Sequence, residues 1–319
     1  MSDFLFSINV VLPLFLLIAT GYVLKQMRFV SEVFLSEANR FVFKFPLPLM
    51  LFQNIRHTFE DSFTDSFNTR LILSAFVGII IMIAVLFIAV PMFGKRRATT
   101  GSLIQGIYRS NFIIYGLPLA TAMYGDNAVI AVSMLMGMVI PVYNIAAVIV
   151  LNIFSETKSK SSLPFFTIIV NIFKNPLILA CIAGFIAGRL NLRFPVFVEQ
   201  PVDEIAKIAT PLALMVMGGL FKFRGLMGNF TTVFAASLTK LVLIPLIAMI
   251  VFVYMGFREL ELAALLCLFA TPTAVASFIM AENMGCDGEI SAHIVVMSTA
   301  LSAITIFLFV FVLKSMGYL

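Results

Sequence analysis

Apolar residues run along this chain in long blocks separated by short polar stretches, where a soluble protein would show alternation or a single helical stripe. A helix needs about 20 apolar residues to cross roughly 30 Å of hydrocarbon. Ten blocks meet that description: 7–24, 41–55, 71–91, 103–124, 128–151, 176–190, 198–221, 230–254, 260–281 and 290–313. The second and sixth are short, so their ends are the least defined. The expected fold is an all-α membrane protein of ten transmembrane helices. The first block has no basic residue before it and no small-residue cleavage site after it, which marks it as a span rather than a removable signal.

The pattern repeats within the chain. Pro13-Leu14, six residues, then Gly21-Tyr22 is echoed 163 positions later by Pro176-Leu177, six residues and Gly184-Phe185. Pro46-Leu47-Pro48-Leu49-Met50 is echoed after 165 by Pro211-Leu212-Ala213-Leu214-Met215, and Gly125 after 160 by Gly285. Five spans per copy is an odd number, so the second copy enters the membrane from the opposite side. The expected layout is two inverted five-helix repeats, 1–152 and 175–319, joined by a short cytoplasmic linker, 153–174. Its segment 163–173 is apolar but too short to span, and is expected along the interface. Inverted repeats are a feature of secondary transporters, whose midplane site opens to either side.

Composition agrees: 61% of residues are apolar, 12% are charged and the mean hydropathy is +1.07, outside the range of soluble domains. The net charge of +5 comes from Lys and Arg scattered through short loops, which argues against nucleic acid. Eleven of them fall on one side: Lys25, Arg28, Arg40, Lys95, Arg96, Arg97, Lys158, Lys160, Lys174, Lys222 and Arg224. Six fall on the other: Arg56, Arg70, Arg189, Arg193, Arg258 and Lys314. The positive-inside rule then puts both termini outside the cytoplasm of a cell-membrane protein. Cys181, Cys267 and Cys286 show no metal or redox spacing. No metal or cofactor is expected.

Two spans carry the candidate chemistry. The fourth holds Ser110-Asn111-Phe112-Ile113-Ile114-Tyr115-Gly116-Leu117-Pro118 and the ninth Ala270-Thr271-Pro272-Thr273-Ala274, each placing proline among small or polar residues. At about 1.5 Å per residue, Asn111 lies roughly 12–15 Å into its span and Pro272 roughly 18 Å into the other, so the two interruptions meet near mid-membrane. Crossed broken helices there would aim positive half-helix ends at one point, suited to a carboxylate or another small anion. One such proline alone would read as a kink; two in matching spans favour a site.

These stretches carry a resemblance. Residues 111–125, N-x4-G-L-P-L-x4-Y-G, and Ala270-Thr271-Pro272 through Phe278-Ile279-Met280-Ala281-Glu282 are similar to the fourth- and ninth-helix motifs of the auxin efflux carrier family. Asn175-Pro176-Leu177 and Pro211-Leu212-Ala213-Leu214 fit as well. The family's prokaryotic members include carriers assigned to malonate and malate. The resemblance implies a scaffold of spans one, two, six and seven, a mobile transport domain of spans three to five and eight to ten, helices four and nine crossing at their prolines, and elevator-like sliding. The connection 154–174 is short, whereas the long plant carriers have a large regulatory loop there, so a small mono- or dicarboxylate is expected rather than auxin.

The expected substrate-binding residues are Arg109, Ser110, Asn111, Gly116, Pro118, Asn144, Thr271, Pro272 and Thr273. Lys240, His293 and Asp203 are candidates for coupling. Arg109 has two readings, a carboxylate ligand or a snorkelling side chain. Asp203 and Lys207, four apart, are expected to neutralise one another. His293 is a proton carrier or a solvated histidine at a helix end. Ser298, Thr299 and Ser302 line the site or glue helices. Coupling to H+ or Na+ stays open, and a homodimer is compatible with such a bundle. The competing classes are a passive anion channel and a membrane receptor for a small carboxylate. An enzyme lacks support, with His57 and His293 the only histidines and no HExxH motif.

Overall fold

The computed structural model describes residues 2–61, 68–124, 126–156 and 174–319, and these are helical almost throughout. Gly125, and with it one echo of the repeat, lies outside the described residues, as do 157–173 of the linker and its expected interfacial segment.

Helix α1 spans Ser2–Gln26. An amphipathic helix, α2 (Glu32–Lys44), follows, capped by Ser31, whose Oγ accepts from the Phe34 N–H at 3.0 Å. α3 is Pro46–Asp61. The expected second span, 41–55, is therefore two helices that part at Phe45. Pro46 excludes the residue before it from helical backbone and has no N–H to continue the ladder. α4 (Thr69–Ala89) is capped by the Asn68 side chain.

The fourth block is broken as expected. α5 (Arg97–Tyr108) stops, Arg109 to Asn111 run extended, a π turn covers Phe112–Gly116, and α6 (Leu117–Tyr124) completes it. α7 is Asp126–Phe154. Asn175 caps α8 (Pro176–Arg189), accepting from Leu177 N at 2.9 Å, with proline at the first turn where its missing N–H is harmless. α9 is Val196–Leu220, and a short α10 (Phe223–Gly228) follows. The eighth block holds α11 (Phe230–Leu238), a π turn at Thr239–Leu243 and α12 (Ile244–Tyr254). The ninth block is α13 (Glu259–Ala270), an extended break and α14 (Ala276–Asn283). α15 (Gly288–Ser315) is capped by Asp287.

Among the described residues, four helical stretches are long and apolar enough to cross a membrane unbroken: Thr69–Phe93, Met134–Phe154, Phe230–Tyr254 and Gly288–Ser315. The fourth and ninth blocks are interrupted midway, and the N-terminal half of α9 carries Glu199, Asp203, Glu204 and Lys207, so neither length nor composition marks these as simple spans. Leu73, Ile80, Ile81, Val85 and Ile88 of α4 stand exposed, which hydrocarbon accommodates and water does not.

The described helices pack in two groups. In one, α1 lies along α9 and α3 along α8 and α9, with α2 beside them. In the other, α5 packs on α7, α6 on α7, α11 on α15, α13 on α12 and α14 on α15. Glycines set the spacing in the first group. A Cβ at Gly21 would fall 1.9 Å from Met215 O, one at Gly218 1.9 Å from Ile18 O, and one at Gly184 2.6 Å from Phe52 O. α1 and α9, and likewise α3 and α8, thus approach backbone to backbone, as small residues permit in lipid.

Candidate functional site

The two interruptions meet. Ser110 and Thr273 form an antiparallel bridge, with Asn111 N–H donating to Pro272 O at 2.7 Å and Ala274 N–H to Arg109 O at 3.1 Å. Buried extended backbone needs partners, and each break supplies them to the other. Thr273 reinforces the crossing: its N–H donates to Ser298 Oγ at 3.1 Å and its hydroxyl to Gly106 O at 2.7 Å. Ser298 acts here as glue between helices.

Beside the crossing lies a cavity of about 80 Å³. Its walls are Arg109, Ser110, Asn111 and Phe112 of the first break, Ala274 to Ala276 of the second, Tyr143 and Asn144 on α7, Met50 on α3, and Thr210 and Ala213 on α9. It therefore opens at the seam between the two packing groups. The lining is mostly apolar with a few convergent polar groups, the usual makeup of a small-ligand site.

Two basic side chains are buried here. Arg109, 4% exposed, points inward and does not snorkel; Nη2 donates to Asn144 Oδ1 at 2.8 Å and Nη1 contacts Met280 Sδ at 2.7 Å. Asn144 is itself oriented by donating to Ile140 O at 2.8 Å. Lys240, fully buried in the π turn of the eighth span, donates to Ser110 Oγ and, at 3.4 Å, to Phe269 O near the carbonyl end of α13. Among the described residues neither forms an ion pair with a carboxylate, unlike Arg56 with Glu199 or Lys222 with Glu289.

Of the expected binding residues, Arg109, Ser110, Asn111 and Asn144 line the cavity. Thr271, Pro272 and Thr273 build the crossing behind it, and Thr271 is buried with no partner for its Oγ1. Gly116 lies in the π turn against the Phe112 ring, and the Pro118 ring falls outside the described side chains. Lys240 stands one residue behind the wall, through Ser110. His293 lines a separate cavity, and Asp203 lines neither. Instead Asp203 accepts from Gln53 Nε2, and Lys207 pairs with Glu204 at 2.7 Å, so the expected Asp203–Lys207 neutralisation is not formed. The α3 face offers Asp203 a buried amide donor, while Glu204 shares the solvent side with Lys207.

Sequence reasoning missed Tyr143, Met280 and the α3 and α9 walls. Pro46 to Met50 and Pro211 to Met215 stood out as echoed segments, and that echo was the available signal. His57, Glu199 and Asp203 also lie close enough to share an ion, but Glu199 already binds Arg56 and Asp203 binds Gln53.

The family model described as "Membrane transport protein" matches residues 6–310. The chain belongs to this family, that of the auxin efflux carriers. It resembles the "Putative malonate transporter" of Rhizobium meliloti (strain 1021), 24% identical over 310 residues covering 96% of each chain. It also resembles "Auxin efflux carrier component 8" of Arabidopsis thaliana, 28% identical over 130 residues, 40% of this chain and 35% of the plant protein. Membership makes it a membrane transporter of a small molecule, not an enzyme.

Proposed function

We propose that this auxin efflux carrier family member is a secondary carrier of a small organic anion, a mono- or dicarboxylate such as malonate, working by alternating access. The observation that carries this is the pair of buried basic side chains at the crossing, Arg109 and Lys240, whose partners are neutral oxygens and a sulfur. A charged side chain at membrane depth costs about 2.5–3.5 kcal/mol on insertion scales, more in simulations. A bound carboxylate supplies the missing counter-charge. The first amides of α14, at Val275 and Ala276, add positive half-helix potential on the same cavity.

Size fits the class. At about 10–15 Å³ per water, the cavity holds on the order of six waters, the bulk of a small dicarboxylate. Arg109, Ser110, Asn111 and Asn144 are the groups proposed to touch the anion; Gly116, Pro118, Thr271, Pro272 and Thr273 shape the crossing that presents them.

The inverted repeat is part of the proposal, and the crossing supports it. Ser110 and Thr273 are 163 residues apart, the spacing of the Pro-Leu…Gly echo. Under that shift the bond from Asn111 to Pro272 becomes the bond from Ala274 to Arg109. Likewise Gly21 of α1, packed against α9, and Gly184 of α8, packed against α3, are counterparts in equivalent contacts. In this reading ten spans in two repeats, 1–152 and 175–319, cross the membrane with both termini outside. α1, α2, α3, α8 and α9 are the scaffold, and the rest slides along it carrying the crossing.

The test is uptake and counterflow in proteoliposomes across a panel of carboxylates, repeated with Asn111→Ala. Saturable counterflow that the variant loses while keeping wild-type unfolding behaviour is the expected result. Flux without counterflow would make the protein a channel, and unchanged uptake by Asn111→Ala would remove this site.

A further inference from the structure

A second cavity, about 110 Å³, lies where the end of α9 meets α14 and α15. It is lined by Leu220, Phe221 and Lys222 where α9 ends, Phe278 and Glu282 on α14, and Glu289, Ala292 and His293 on α15. The imidazole of His293 is 1% exposed. It stands edge-on to Phe221, with ring centroids 5.0 Å apart, and its Nε2 lies 3.1 Å from Lys222 O. A carbonyl only accepts, so Nε2 carries the hydrogen, and Nδ1 is a bare base. Buried Nδ1 has no partner.

Charged groups surround the ring. Lys222, Asp287 and Glu289 are the charged groups that act on the ring, and Glu282 lines the same space. Three carboxylates face one ammonium. Lys222 is paired with Glu289 at 3.2 Å, and Asp287 is held by Thr99 Oγ1 at 2.8 Å and by the first turn of α15. Glycines bring the carboxylates in: a Cβ at Gly225 would lie 1.7 Å from Glu289 Oε1, and one at Gly288 1.9 Å from Glu282 Oε2. His293 and these acids are not grouped tightly enough to clasp one metal ion, the sole such group among the described residues being His57, Glu199 and Asp203. A proton needs only one base. Glu282 is exposed and Glu289 half-buried, so water enters the cavity on that side, and the space holds several waters.

We propose that His293 is a proton-binding site and that anion movement is coupled to protons through it. The proposal rests on the carrier reading above. Nδ1 takes a proton from water by way of the Glu282 side of the cavity, giving an imidazolium that the nearby carboxylates stabilise. The charge strengthens donation from Nε2 to Lys222 O, a bond that joins the end of α9 to α15 across the seam. When α15 slides past α9 that bond breaks, and the ring returns its proton from Nδ1 to water on the other side. The proton load and the position of the sliding group are thereby linked.

The experiment uses the full chain in proteoliposomes, with the best-exchanged acid among malonate, malate and succinate, and a trapped pH dye. Wild type is expected to exchange the acid at equal pH, to take it up about tenfold faster down a pH gradient, and to acidify the lumen in step. His293→Gln is expected to keep exchange and lose both gradient drive and acidification. Absence of exchange in wild type overturns the carrier reading itself. Wild-type exchange with no response to the gradient, or gradient-driven uptake retained by His293→Gln, overturns only the proton site. If His293→Gln does not exchange, ¹⁵N-histidine spectra of wild type decide, because the chain has two histidines and His57→Gln assigns one of them. A second ring proton on His293 over the pH interval where uptake responds supports the site; a ring neutral throughout that interval overturns it.

Discussion

Two arginines among the described residues are almost completely buried, and they are buried in opposite ways. Arg56, near the end of α3, gives an N–H to Glu199, reaches Gln53 Oε1 at 3.1 Å and Leu192 O at 3.3 Å, and lies over the Phe194 ring at 5.3 Å. Arg109, at the crossing, has an amide oxygen, a sulfur and a cavity. The first has its counter-ion in the chain, so its interactions tie α3 to α9. The second leaves its charge uncompensated, as does Lys240 close by. The contrast separates a charge that holds the fold from one that waits for a ligand.

The largest expected effects test the second kind. Lys240→Met keeps the side-chain bulk and removes a buried group that has no counter-ion, so its desolvation cost is removed with it. The variant should unfold at the same temperature or higher in detergent while uptake falls to background. Arg109→Gln should lose on the order of 10–100-fold in uptake efficiency, as a charged hydrogen bond of about 1.5–3 kcal/mol implies, with little change in unfolding. A sharp loss of stability in either variant would make these cations structural like Arg56.

Glu199→Gln probes the other side of the comparison. It leaves Arg56 buried without its counter-charge, and a loss of stability in denaturant unfolding is expected, smaller than for a fully buried pair because Glu199 is partly exposed. Exchange by the molecules that remain folded should be unaffected.

Asn144→Ala removes the acceptor that orients Arg109, without removing the cation. A rise in half-saturating substrate concentration of roughly tenfold or less is expected, matching about 1 kcal/mol for one hydrogen bond.

The smallest effect should come from a pair outside the spans. The Arg96 guanidinium, bonded to Glu156 at 2.5 Å, holds that carboxyl below the usual carboxylate range. Its contribution is present above the ordinary carboxylate value and is lost as pH falls through the depressed one. Both groups are exposed and screened, so Glu156→Gln should leave uptake and unfolding at neutral pH unchanged.

Much of the fold was legible in the chain. The eighth block, 230–254, appears with the same ends as the helical stretch Phe230–Tyr254, and the sixth differs by one residue at its end. The interruptions of the fourth and ninth spans were legible as well, because proline and small polar residues inside apolar runs have few other uses. The second block reads as one helix because apolarity continues across Phe45, whereas the backbone, governed by Pro46, breaks there. Of the site, Arg109, Ser110, Asn111 and Asn144 stood out as polar residues in apolar runs. Tyr143, Met280 and the α3 wall did not, because an apolar or aromatic residue in a span looks the same whether it meets lipid, another helix or a ligand.

The sequence by itself determined that the chain lives in a bilayer, where its helices break and which residues are chemically out of place there, because each follows from transfer free energy and local backbone sterics. Only the tertiary structure decided that the two breaks pair as a bridge, that Arg109 turns inward, that Lys240 reaches Ser110, and that Asp203 goes to Gln53 and not to Lys207. Those outcomes depend on partners separated by 35 to 163 residues, and no local rule selects among the distant groups that compete for each side chain.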